Sequence, residues 1–197
     1  AGSSLGCIAA HHKRHLKWEH PFLGHNIDGE YPVDALIKEL KENKMVGVAS
    51  GRAEFGPRAL GNRSLLADPR GEEIKDLVNG IKKRQKFRPF APAILEEDVH
   101  EYFTLPTAVQ NTPYMQFTAA CTHGKDFPAI IHHDNTSRVQ TVRKTDNPGF
   151  HALLTEWKKQ TGCPILLNTS LNIKGQPIVN DREDGKAFTN KYKVKVL

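Results

Sequence analysis

The sequence is poor in cysteine, and the few it has are scattered. Cys7, Cys121 and Cys163 are odd in number, and none belongs to a C-x-x-C pair. That argues against a disulfide framework and fits a reducing, cytoplasmic compartment, with each thiol a small buried apolar group. Long apolar runs are missing too. None approaches ~18 residues, which argues against a membrane span. The N-terminus lacks the charged-then-apolar order of a secretory signal. It also lacks a starting methionine, so the chain is expected to be a fragment or a processed product. There is no G-x-x-x-x-G-K-S/T loop for phosphate. No Ser/His/Asp triad, internal repeat or low-complexity segment stands out.

What is present is ordinary in amount and uneven in placement. The 197 residues are 38% hydrophobic and 25% charged, enough for one substantial core or one domain with a short flanking piece. The formal net charge of +6 admits polyanions as partners. Six of the ten arginines (Arg52, Arg58, Arg63, Arg70, Arg84, Arg88) fall between residues 52 and 88. They sit among glycine, proline and apolar residues. A nucleic-acid binder would show a basic helix face or basic stripes interleaved with aromatics. The distribution therefore disfavours nucleic acid and points to a concave site for a small anion.

Periodicity predicts helices over 32–43, 72–81, 96–103 and 149–161. In the second of these, Ile74, Leu77, Val78 and Ile81 face inward. Apolar runs predict strands over 44–50, 91–95, 114–120, 129–132, 139–142 and 163–167. Residues 1–10 read as the end of a helix, residues 11–30 as a His-rich linker, and 181–188 as the start of a last helix. The mixed order, without a regular βαβ beat, gives an α/β (α+β mixed) domain with a twisted mixed sheet flanked by helices.

Four segments carry the chemistry. Gly51-Arg-Ala-Glu-Phe-Gly-Pro-Arg-Ala-Leu-Gly-Asn-Arg-Ser-Leu-Leu-Ala-Asp-Pro-Arg70 follows a strand and combines turn backbone with guanidinium forks, which together suit phosphate. The bland alternative has its arginines pairing with Glu54, Asp68 and Glu72. Lys86-Phe-Arg88 precedes Pro89, which favours an extended chain. Lys86 and Arg88 would then reach one ligand while Phe87 points into the core. Asn168-Thr-Ser-Leu-Asn172 offers short polar groups for ribose or phosphate, or for plain turn capping. Ser137-Arg-Val-Gln-Thr141 places Arg138 and Gln140 on one strand face. His11 and His15 have the i, i+4 spacing of a helical metal pair but no evident third ligand.

These segments, in this order, resemble the O-carbamoyltransferases of the NodU/CmcH family. The resemblance runs from about residue 30 to 188. It rests on Gly51–Arg70, on Lys86-Phe-Arg-Pro-Phe-Ala-Pro92, on Arg138-Val-Gln-Thr-Val142, and on Thr161-Gly-Cys-Pro-Ile-Leu-Leu-Asn-Thr-Ser-Leu-Asn-Ile-Lys-Gly-Gln-Pro-Ile-Val179. It implies a C-terminal, YrdC-like domain over residues 26–197. Residues 1–25 would be the end of an upstream actin/sugar-kinase-like domain and a linker. It implies ATP with Mg2+ as co-substrate, carbamoyl phosphate as donor, and carbamoyl-adenylate as product for transfer to a hydroxyl acceptor. A further metal would belong only to the upstream domain, which would also be this domain's partner, so His11 and His15 inherit no ligand role.

The implied site takes Lys86 and Arg88 as catalytic residues. Arg52, Arg58, Arg63, Ser64, Arg138, Thr141, Asn168, Ser170 and Asn172 bind nucleotide or substrate, and catalysis is mainly electrostatic. The alternatives are a threonylcarbamoyl-adenylate or RNA-binding module of the same fold, and a non-catalytic fragment with structural arginines. Homo-oligomerisation stays open. One departure from the family pattern puts Asn135 where a turn glycine is usual, and asparagine tolerates the left-handed conformation. Another puts Leu171 where phenylalanine is usual.

Overall fold

A computed structural model describes residues 3–197. Its elements, in order, are α1 (Ser3–His12), β1 (Asn26–Ile27), α2 (Val33–Asn43), β2 (Met45–Ala49), β3 (Gly51–Arg52), β4 (Arg63–Ala67), α3 (Glu73–Lys82), β5 (Ala91–Leu95), α4 (Val99–Tyr102), β6 (Phe103–Thr104), β7 (Ala119–Cys121), β8 (Thr136–Ser137), β9 (Gln140–Val142), α5 (Pro148–Thr161), β10 (Ile165–Ser170) and α6 (Arg182–Tyr192).

The main sheet has five strands in the order β2-β4-β10-β5-β9. Its first four strands are antiparallel to their neighbours, and β9 joins β5 in parallel. β2 and β5 are buried along their whole length, which explains their unbroken apolar or small-residue runs, and β4 is buried throughout although it starts with Arg63. α2 lies against α5, and these helices contact the sheet through β2, β5 and β10. Leu36, Leu40, Phe150, Leu153, Leu154 and Trp157 fill that interface. The start of α5 is set locally: Asn147 Oδ1 accepts the Phe150 N–H at 3.0 Å, and Pro148 occupies the first turn. Such a cap contributes about 1 kcal/mol. Gly162, in the left-handed conformation, ends the helix.

Register decides where the functional loops emerge. Ser170 at the end of β10 pairs with Ser64 near the start of β4. Asn168 pairs with Ala91 at the start of β5, and Ala49 at the end of β2 pairs with Arg63. β9 runs parallel to β5, so its start is at the same end. Residues 50–62, 83–90, 138–139 and 171–177 therefore leave the sheet at one end.

Several expectations need correcting. The strand expected over 114–120 shrinks to Ala119–Cys121, and 129–132 is a turn whose Ala129 and Ile130 are nonetheless fully buried. Burial without a ladder looks the same in sequence as a short strand. Leu77 is exposed, because α3 packs through Ile74, Val78, Asn79 and Lys82 instead. The helix over 96–103 divides into a 3-10 turn and the short α4 before β6. α1 ends at His12, so His11 and His15 do not share a helix face. Of the helix end expected over 1–10, residues 1 and 2 lie outside the described residues. Asn135 does take the left-handed conformation, with φ 61°. Leu171 is fully buried.

Beyond α6, residues 195–197 lie along the free edge of β2. The Gly47 and Ala49 N–H groups donate to Lys195 O and Leu197 O at 2.8 and 2.7 Å. This pairing covers the backbone groups of an edge strand.

Candidate functional site

At the shared sheet end, α3 and the turn after β10 meet through one lysine. The Lys82 Nζ donates to Ser170 O at 2.5 Å, to Ser170 Oγ at 3.1 Å and to Asn172 Oδ1 at 2.9 Å. Ser170 Oγ also donates to Asn172 Oδ1 at 2.6 Å. Lys82 is only 6% exposed. Burial first, and then the neighbouring Arg84, bring its pKa down to about 7.

The residues after α3 form a compact turn rather than an extended strand. Buried Asn79 organises it. Its Oδ1 accepts from Arg84 Nε at 2.6 Å, and its Nδ2 donates to Lys86 O and Arg88 O at 3.1 and 3.0 Å. The Arg84 guanidinium lies 4.0 Å over the Phe90 ring. The Arg88 N–H closes a turn onto Gln85 O at 3.3 Å. As a result Phe87 is 74% exposed, not in the core. Lys86 and Arg88 part company: Lys86 is an exposed partner of Asp76 at 3.4 Å, whereas Arg88 lines a cavity.

That cavity holds about 230 Å³ and is lined by Lys82, Arg84, Arg88 and Lys174 with Ser170 and Asn172. A second cavity of about 690 Å³ carries Arg58 and Arg138 on largely apolar walls. The two are linked by charge. Burial and the charges of Arg88 and Arg138 lower Arg84 to about 10. Arg138 is lowered by burial and by Arg58. The charges that perturb Lys82, Arg84 and Arg138 are all positive, with no carboxylate opposing them. Arg138 Nε is buried without a partner among the described residues. Half-buried cations that repel one another favour a polyanion between them.

The glycine-rich loop is held differently from expectation. Glu54 Oε1 accepts the backbone N–H groups of Leu60 and Asn62, both at 2.7 Å, and of Arg63 at 3.2 Å. The carboxylate thus takes the role foreseen for a bound anion in that part of the loop. Arg63 is fully buried and donates to five backbone carbonyls, those of His25, Ser50, Gly51, Asn62 and Asn180. Arg70 forks onto Asp68 at 2.9 and 2.8 Å, and Arg52 donates to Leu23 O. Of this loop's arginines, only Arg58 lines either cavity.

Ser64, Thr141 and Asn168 are buried within the sheet. Ser64 accepts the Gly61 N–H, Thr141 accepts the Thr112 N–H, and Asn168 donates to Ala59 O and Gln140 Oε1. Gln140 is buried too, so it does not share a face with Arg138 toward the cavity. The structure therefore brings Arg58, Arg88, Arg138, Ser170 and Asn172 to the cavities and holds Arg52, Arg63, Ser64, Lys86, Thr141 and Asn168 elsewhere.

The site implied by the sequence omits Lys82 and Arg84. A signal existed: Lys82 lies four residues after Val78 and eight after Ile74, so the buried stripe of α3 ends in a lysine. Lys82-x-Arg84 also repeats the spacing of Lys86-x-Arg88.

Comparisons with known proteins agree on the domain. The nodulation protein NolO of Bradyrhizobium diazoefficiens is 48% identical over 71% of this chain and 26% of its own length. The 3'-hydroxymethylcephem-O-carbamoyltransferase of Amycolatopsis lactamdurans is 40% identical over 77% of this chain and 28% of its own. The chain thus spans about a quarter of the length of these relatives. The crystal structure of full-length HypF in the phosphate- and nucleotide-bound form superposes with a TM-score of 0.59 at 20% identity, covering 85% of this chain and 21% of HypF. That similarity establishes a shared mixed α/β fold. The family described as "Carbamoyltransferase C-terminus" matches residues 37–197, and the chain belongs to it.

Proposed function

We propose that this domain binds ATP and carbamoyl phosphate and forms carbamoyl-adenylate, which another domain of the same protein transfers to a hydroxyl group. Residues 1–25 then end that preceding domain and link it to residues 26–197. The observation that carries the reading is the set of mutually repelling cations, Lys82, Arg84, Arg88, Arg138 and Arg58, that line two cavities. Two similarities support it: an O-carbamoyltransferase among the relatives, and a fold shared with HypF in its phosphate- and nucleotide-bound form.

Water cleaves carbamoyl phosphate to carbamate and inorganic phosphate. A carbamate oxygen attacks the α-phosphorus of ATP. The bond from that phosphorus to the bridging oxygen breaks, and its electron pair leaves with pyrophosphate. Both reactants are anions, so the approach is repelled in water. Arg84, Arg88 and Lys82 would offset the charge of the polyphosphate, and Arg138 and Arg58 that of the acyl and α-phosphate end. Ser170 and Asn172, already fixed by Lys82, would orient a phosphate or ribose oxygen.

Magnesium would accompany ATP. No three His, Cys, Asp or Glu side chains converge as a metal site among the described residues. The chain's own groups therefore do not fit a resident ion, and no step above runs through one.

The test is pyrophosphate release from ATP plus carbamoyl phosphate. Arg88→Ala is expected to slow it about tenfold or more. Lys86→Ala, which removes only an exposed ion pair, should change it less than about twofold. A chain that neither binds ATP nor releases pyrophosphate would overturn the reading.

A further inference from the structure

The 230 Å³ cavity is lined by polar and charged residues, four of them cationic, with no aromatic ring on which a base could stack. The 690 Å³ cavity is the reverse. Leu16, Trp18, Phe55 and Tyr114 give it apolar and planar walls, and Arg58 and Arg138 stand at its charged side. Its volume falls within the range that encloses small organic ligands. Trp18 and Tyr114 are 42% and 37% exposed, so their rings are open to a ligand. The Trp18 indole N–H donates to Tyr114 Oη at 3.1 Å, which fixes both rings across a sequence separation of 96 residues. Trp18 lies outside residues 37–197, the part that matches the family. It also lies in the stretch that composition marks as linker.

We propose that the nucleoside part of the nucleotide sits in this aromatic cavity, stacked on Trp18 and Tyr114, with Arg58 and Arg138 on its first phosphate. The inference rests on the adenylating reading above and adds to it. The segment before the family domain becomes a wall of the nucleotide site, not a passive tether. The sequence of charges from Arg58 through Arg138 and Arg84 to Lys82 then follows one ligand from its α-phosphate to its distal phosphates. Base-on-aromatic stacking is strong enough to matter, because removing one ring commonly weakens binding by roughly tenfold.

The protein carries its own reporter. It has two tryptophans, and Trp157 is buried on the inner face of α5, so Trp18 is the one a ligand can touch. ATP and AMP are expected to change Trp18 emission, and the change should vanish in Trp18→Phe. Tripolyphosphate should displace ATP yet leave the emission unaltered. Trp18→Ala should weaken ATP binding roughly tenfold and leave tripolyphosphate affinity within about twofold. Because Trp18 is a half-exposed residue outside any helix or strand, the variant is expected to fold. ATP that binds and is lost in Arg88→Ala, with Trp18 emission and Trp18→Ala affinity unmoved, would sink the nucleoside assignment and spare the adenylating reading. A chain that binds no ATP would sink both.

Discussion

Lys82 Nζ and Asn172 Oδ1 lie 2.9 Å apart, joining the last turn of α3 to the turn that follows β10. The contact crosses 90 residues of sequence, and both residues line the 230 Å³ cavity. A lysine in that position is a charge the fold holds at a cost. Burial and Arg84 depress its pKa to about 7, far below the ordinary 10.5.

Two pH effects of opposite sense follow from that depression. In the free protein the unfolded chain holds the Lys82 proton up to about pH 10.5 and the folded chain only up to about 7. Between these values the unfolded state binds more protons, so this group's contribution to stability rises with pH across that window. Below about pH 7 the full penalty is present. Polyphosphate affinity runs the other way, because only the protonated amine attracts the anion. Binding should weaken as pH rises through about 7 and should take up a proton near that pH. Calorimetry of tripolyphosphate binding in buffers of different ionisation enthalpy measures the uptake. Lys82→Met should abolish it. Equal proton uptake in the variant would mean that Lys82 is not the titrating group.

The core of the fold was legible in the sequence where one physical signal dominated. The 3.6-residue stripes of α2 and α5 and the apolar runs of β2 and β5 all act locally. The site was legible only in part. Arg58, Arg88 and Arg138 line the two cavities. Arg63 begins β4 at the same sheet end but lines neither cavity, because backbone carbonyls from residues as distant as His25 and Asn180 capture it. Phe87 was misplaced because an extended chain was assumed before Pro89, whereas Asn79 pulls that stretch into a turn. Such captures depend on long-range geometry that residue spacing does not encode.

Arg63 should therefore behave as a structural residue. Its guanidinium satisfies carbonyls from the N-terminal segment, the glycine-rich loop and the segment before α6. Arg63→Ala removes these donors, including those to the buried Ser50 and Asn62 carbonyls, and is expected to cost about 3–5 kcal/mol, read by chemical denaturation. Arg63→Lys should recover little, since one ammonium cannot span the same acceptors. A variant of undiminished stability that had lost only ATP affinity would return Arg63 to the binding surface.

Gly47 offers the sharpest check on the strand added along the sheet edge. A Cβ there would stand 2.8 Å from Val196 Cγ2 and 3.0 Å from Leu171 Cδ1. The Cβ of Val196 itself lies 3.7 Å from where Gly185 would place one, so the valine sits between two glycines. Gly47→Ala overfills this notch and should destabilise the fold by about 1–3 kcal/mol. The strain has one easy outlet, which is release of residues 195–197 from β2. Amide exchange should then accelerate at Gly47, Ala49 and Leu197, whose N–H groups make the pairing, while β4 and β10 stay protected. Val196→Ala clears the nearer of the two contacts, so it should recover part of the loss in the Gly47→Ala background. Leu171 stays in place, which is why recovery should be incomplete. Strict additivity of the two substitutions would show that Val196 does not occupy the notch.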